Sequence, residues 1–170
     1  MKPLVVIDIP GLSVKQVKDH APKLRAFGEE GFLGGLDPVF PAVTTTSQTS
    51  ILTGALPSEH GIVGTGWFFR GLNEVWMWRQ SERLVEAPQI WDEAKQRDAS
   101  FTCMKQLWWF GMASSTDLHV NVRPAYPVNG LKIPDVYSNQ KPLARELQEK
   151  FGPFPLFKFF FTFQSNAAFN

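Results

Sequence analysis

The chain has 170 residues, 44% hydrophobic and 14% aromatic, with 17 basic and 16 acidic side chains. That much apolar material supports one domain with a sizeable core and excludes a disordered tail, while a net charge of +1 with interleaved signs offers no basic face to a nucleic-acid duplex. The single cysteine, Cys103, excludes an internal disulfide framework and Cys-rich zinc motifs, and no apolar run approaches the roughly 20 residues of a membrane-spanning helix.

Residues 4–9, Leu-Val-Val-Ile-Asp-Ile, are too short and too soon closed by an acid and a proline to be a secretory signal, so a cytoplasmic location with no membrane is expected. Their continuous apolar pattern predicts a strand buried on both faces of a parallel sheet. Asp8 stands at its carboxyl end, just before the Pro10-Gly11 turn, where open α/β sheets collect ligands. The alternative is a turn aspartate accepting backbone N–H groups. Ser13 predicts the N-cap of a short helix, and Pro22 opens a second one over 23–30 that Gly31 closes. His20, between them, reads as a surface or capping residue. A short strand is expected over 34–39, then a helix from about Thr46 to Leu52 with Gly54 as its C-cap.

Between Gly64 and Glu82, Trp67, Phe68, Phe69, Trp76 and Trp78 mix with Arg70 and Arg79 around Gly-Leu-Asn, the pattern of a hairpin or loop excursion. Such a mix either stacks a nucleobase or packs the excursion onto the body. Residues 90–97 predict a helix, with acids early and bases late as the dipole favours, and 100–104 the next strand, with Cys103 a buried thiol. This βαβ alternation argues for a parallel α/β sheet. Trp108, Trp109 and Phe110 read as packing or pocket wall, and Pro124, Pro127 and Pro134 predict an irregular connection over 120–137. Asp117 and His119 lack the further partners a metal pair needs. Residues 141–151 form an amphipathic helix with Leu143 and Leu147 at i, i+4, and after it comes a Phe-rich segment with no functional account.

The densest chemistry lies in Pro41-Ala-Val-Thr44-Thr-Thr-Ser-Gln-Thr-Ser-Ile-Leu-Thr-Gly54, which brings hydroxyls to the start of a helix. A threonine hydroxyl becomes a nucleophile only when a base or a metal activates it, and no histidine is local to Thr44. A cation could do so, with Asp8 as an oxygen ligand and the free N–H groups at the helix start receiving a phosphate oxygen. Thr44 to Thr46 could equally well just cap the helix. Spacing leaves both readings open.

The order of strand Asp8, Pro41-Ala-Val-Thr44, Ser50-Ile-Leu-Thr-Gly54 and Pro57-Ser-Glu-His-Gly-Ile62 resembles the type I phosphodiesterase/nucleotide pyrophosphatase family of the alkaline phosphatase superfamily. Residues 21–31, opening in proline and ending in Glu-Glu-Gly, are similar to a segment of the same superfamily. The resemblance implies a parallel-sheet α/β/α sandwich of the alkaline phosphatase-like type. It implies a centre of two divalent ions, zinc being expected, with Asp8 and Thr44 as ligands. It makes Thr44 the nucleophile that takes the phosphoryl group from a phosphodiester or nucleotide-like small molecule before hydrolysis. His60 would be structural, and the absence of the sulfatase Pro and Arg after the nucleophile disfavours that branch.

Three departures accompany the resemblance. Ile9 and Pro10 separate Asp8 from its glycine, and Thr65 stands where the family has a phosphate-binding asparagine, leaving one shorter donor for substrate. No Asp-x-x-x-His or Asp-His pair follows residue 62. The expectation is therefore an N-terminal portion of the catalytic domain over 1–157 and a divergent tail over 158–170. On this reading the chain is truncated and inactive, and the alternative is a non-catalytic fragment or a small α/β binding module.

Overall fold

The computed structural model describes residues 3–125, 127–131 and 133–155, so the tail expected over 158–170 lies outside them. Helix α1 (Val14–His20) starts where expected: the Ser13 hydroxyl accepts the Gln16 N–H at 3.2 Å, and Gln16 Oε1 accepts the Ser13 N–H at 2.7 Å. It packs against α2 (Pro22–Glu30), which has proline in its first turn. Helix α3 (Thr44–Thr53) begins two residues before the expected Thr46, and Gly54 ends it in the left-handed region at φ 67°. A short α4 (Pro57–His60) follows and turns at Gly61, φ 76°.

The aromatic excursion is a hairpin, as its β formers predict. Strands β1 (Gly66–Phe69) and β2 (Glu74–Met77) pair antiparallel, with Trp67 opposite Trp76 and Phe69 opposite Glu74. A 3-10 turn (Glu82–Leu84) leads to α5 (Ile90–Arg97), whose first turn is closed by Asp92 accepting the Gln89 N–H at 3.0 Å. A second sheet orders β3 (Met104–Gln106), β4 (Leu118–Val122) and β5 (Val136–Ser138), with β3 parallel and β5 antiparallel to β4. Helix α6 (Lys141–Phe151) packs on β5. The buried apolar centre comprises Ile62, Trp91, Phe110, Val120 and Val122, with Val17 buried under α1.

The architecture is thus mixed α/β with small sheets, and it departs from the expected parallel sandwich in specific places. Residues 4–9 are not a buried strand: Leu4 and Val5 are each 80% exposed, Ile7 is 76% exposed, and no strand pairs with them among the described residues. Composition gives a segment β propensity, but only a neighbouring ladder makes it a strand. Residues 34–39 are likewise unpaired. Among the described residues the parallel strand pair is β3 and β4, with one isolated parallel bridge between Ser81 and Met112, and β3 begins at Met104, where the expected strand over 100–104 ends. Strand β4 reaches into the expected irregular connection because Pro124, Pro127 and Pro134 fall between β4 and β5 and not inside either.

Strand β3 buries Lys105 and exposes Met104 and Gln106, the inverse of a hydrophobic pattern. Lys105 is in register with His119, and Asn121 with Tyr137, so one face of the sheet is lined by polar side chains. Lys105 is accommodated because its Nζ donates to the Phe110 carbonyl at 2.9 Å, pairs with Glu82 at 3.5 Å and lies 4.8 Å over the Trp91 ring. Among the described residues no helix is long and apolar enough to cross a membrane.

Candidate active site at the start of helix α3

Val43, in extended conformation, is the N-cap of α3, and no side chain caps the helix. The first helical bond runs from the Ser47 N–H to the Val43 carbonyl at 2.9 Å. Among the described residues the N–H groups of Thr44, Thr45 and Thr46 are left without a backbone acceptor, at the positive end of the dipole. The capping role considered for these threonines is therefore not what they do among the described residues: Thr44 is the first helical residue, half-buried, and Thr45 and Thr46 are buried with hydroxyls that have no hydrogen-bond partner there. A helix start whose N–H groups lack a backbone acceptor is suited to an oxyanion.

Asp8 reaches this helix despite the exposure of its neighbours. Its Oδ2 accepts the side-chain amide of Gln48 at 2.7 Å, and Gln48 lies one turn beyond Thr44 on the same face of α3. Gln48 in turn accepts the Trp109 backbone N–H on Oε1 at 2.9 Å. Sequence reading passes over Gln48 and takes Trp109 only as packing or pocket wall; the i, i+4 spacing of Gln48 from Thr44 is the available signal. Thr65 stands at the base of the hairpin, where its carbonyl accepts the Trp78 N–H at 2.9 Å, and no hydrogen bond among the described residues joins it to Asp8 or α3.

His60 has a structural environment. It is fully buried, its Nδ1 accepts the Ile62 N–H at 3.1 Å, and its Nε2 lies 2.8 Å from the Ser50 hydroxyl. Acceptance at Nδ1 puts the proton of the neutral ring on Nε2, which then donates to Ser50. Burial holds its pKa below the ordinary value, favouring that neutral form. The Asp117 and His119 pair does not converge: Asp117 pairs with Lys95 at 3.1 Å and accepts the Cys103 N–H, while His119 is buried and stacked on Tyr137. Cys103 is partly buried just ahead of β3, and burial, with Asp117 beside it, raises its thiol pKa, which disfavours the reactive thiolate.

The excursion packs largely on itself. Phe69 lies 4.4 Å from Trp76 and 5.2 Å from Trp67, and the Arg79 guanidinium covers Trp76 at 4.4 Å. Its end touches the body where Trp78 meets Trp109 at 5.8 Å.

Among the described residues no group of three His, Cys, Asp or Glu side chains is placed to share a metal ion, and the Asp8 carboxylate is already engaged by Gln48. Asp8 and Thr44 would supply two donors, where a divalent ion takes about four or more. The described residues therefore do not fit the dinuclear centre that the resemblance implies. In comparison with known proteins, the sequence profile described as type I phosphodiesterase / nucleotide pyrophosphatase matches residues 4–155. A comparison with curated proteins found no match.

Proposed function

The chain belongs to the type I phosphodiesterase/nucleotide pyrophosphatase family, and from that premise we propose that the start of α3 is a phosphoryl-binding site for a phosphodiester or nucleotide-like small molecule, with Thr44 as the acceptor. The observation that carries this reading is the uncapped first turn of α3, where a hydroxyl and free N–H groups meet at Thr44. In the reaction the Thr44 oxygen gives up its proton to solvent and forms a bond to phosphorus as the bond to the leaving oxygen breaks in line, the leaving oxygen taking a proton from water. Water then hydrolyses the phosphothreonine. The N–H groups of the first turn hold the non-bridging oxygens, contributing most where negative charge grows. Thr65 is proposed as a further substrate contact and Asp8 as a metal ligand of the family reaction.

Zinc ions would serve that reaction by activating the nucleophile, and the shortfall of donors described above leads us to propose that this chain alone does not turn over. Two measurements test the reading. Titration with a nucleoside monophosphate is expected to shift the amide resonances of Thr44 to Thr46, and their constancy at saturating ligand would overturn the site. A chromogenic phosphodiester assay with Zn²⁺ is expected to give no turnover above the protein-free background, in the unsubstituted chain and in Thr44→Ala alike. Thr44-dependent turnover would refute inactivity, and turnover untouched by the substitution would refute Thr44 as acceptor.

A further inference from the structure

We propose that Gln48 is the positioning residue of this site: its side-chain amide clasps the Asp8 carboxylate to the face of α3 that carries Thr44. The amide has one possible orientation. A backbone N–H can only donate, so Trp109 requires the carbonyl Oε1, at 2.9 Å, and that choice leaves Nε2 facing Asp8 Oδ2 at 2.7 Å. Gln48 is 6% exposed, so neither bond is readily replaced by water. The clasp joins three segments distant in sequence: the unpaired run ending at Asp8, the first turns of α3, and the aromatic stretch after β3, which itself abuts the hairpin through Trp78.

Residues 4–7 lie exposed with no strand beside them among the described residues, and the hydrogen bond from the Gln48 amide holds Asp8 there. An i, i+4 pair on a helix places its side chains roughly 5–6 Å apart at Cβ, so the residue that holds the carboxylate is the helical neighbour of Thr44. The functional meaning of the clasp rests on the proposed role of Thr44. Its existence rests on the hydrogen bonds alone.

The test exchanges the polarity of the pair and reads backbone order by nitrogen relaxation, without substrate or metal. In the unsubstituted chain the Asp8 amide is expected near the rigid limit, an order parameter of about 0.85. Gln48→Glu preserves shape and still accepts the Trp109 N–H, but sets two carboxylates face to face, so the Asp8 order parameter should fall below about 0.6. Adding Asp8→Asn should restore it, because the side-chain amide introduced by that substitution can donate to the new carboxylate. A Gln48 that fills space without holding Asp8 predicts neither the loss of order nor the rescue. Unchanged order in Gln48→Glu, or a double variant as mobile as the single one, overturns the proposal. Should Gln48→Glu fail to fold, Asp8→Ala on the exposed segment serves instead: exchange of the Gln48 side-chain amide protons should accelerate on the order of tenfold or more, and unchanged exchange is disproof. Neither readout involves Thr44, so failure here and failure of the phosphoryl-binding reading are separable.

Discussion

At Val43 stability and ligand binding oppose each other. A side-chain cap there would satisfy the N–H groups now open at the start of α3. Val43→Ser should stabilise the fold by about 0.5–2 kcal/mol in chemical denaturation and weaken the amide shifts produced by a nucleoside monophosphate. An increase in stability without any loss of binding would contradict the uncapped turn as the ligand site. The two buried histidines give a pH prediction. Burial lowers the pKa of both His60 and His119 from the ordinary 6.5. The unfolded chain then binds more protons than the folded one as pH falls through that value, so stability is full above 6.5 and declines until the lowered folded pKa is passed. Among the described residues His119 has both ring nitrogens unpartnered and faces Lys105, Glu82 and Tyr137, so His119→Phe should flatten part of this decline in melts from pH 7.5 to 5. The motif around His60 marks it as structural but carries no sign of its bond to Ser50. Asp8 and Thr44 are visible in the sequence as candidates, whereas Gln48 is hidden among hydroxyl neighbours because its role depends on a backbone N–H 61 residues away.

Elements whose signals are local are readable. Helices α5 and α6 carry their charge order and apolar spacing within themselves and form over the residues expected, and α1 follows from Ser13. Strand β3 is not readable, because its buried residue is a lysine and its exposed ones include methionine. Glu82 decides that inversion. It pairs with Lys105, accepts the Ser114 hydroxyl and takes the Ser115 N–H at 2.7 Å, while burial pushes the Lys105 pKa down to about 8. Glu82→Ala should cost about 3–5 kcal/mol in denaturant unfolding, since it leaves a buried ammonium without its counter-charge. Adding Lys105→Met should recover most of that loss, and a double variant as unstable as the single one would show that the charge is not the cause. Gly111 provides a packing test for the same face. A Cβ there would meet the Asn121 side chain, which is buried between strands, so Gly111→Ala should destabilise by about 1–3 kcal/mol, visible as a lowered melting temperature.

For the molecule as a whole, the unpaired N-terminal run leaves apolar side chains in water: Leu4, Val5 and Ile7, and farther on Phe32 at 90% and Phe40 at 92% exposure. Exposed apolar surface and an unpaired β-prone segment favour self-association. The chain is expected to elute above monomer mass in light-scattering chromatography at micromolar concentration, and a monomeric, cooperative thermal transition would count against this. Long-range order is the part least legible in the sequence, because whether residues 4–9 become a strand depends on which backbone lies next to them. The inward lysine of β3 has a consequence for assembly. A one-residue slip of β3 along β4 would turn Lys105 toward the face that carries Val120, and Met104 toward Glu82. The pair is therefore expected to hold the sheet's alignment electrostatically, with a misplaced charge as the error signal. Removing the pair with Lys105→Met and Glu82→Leu should keep the chain folded but double the Trp91 indole resonance as two alignments coexist; one sharp resonance would mean that packing alone enforces the register.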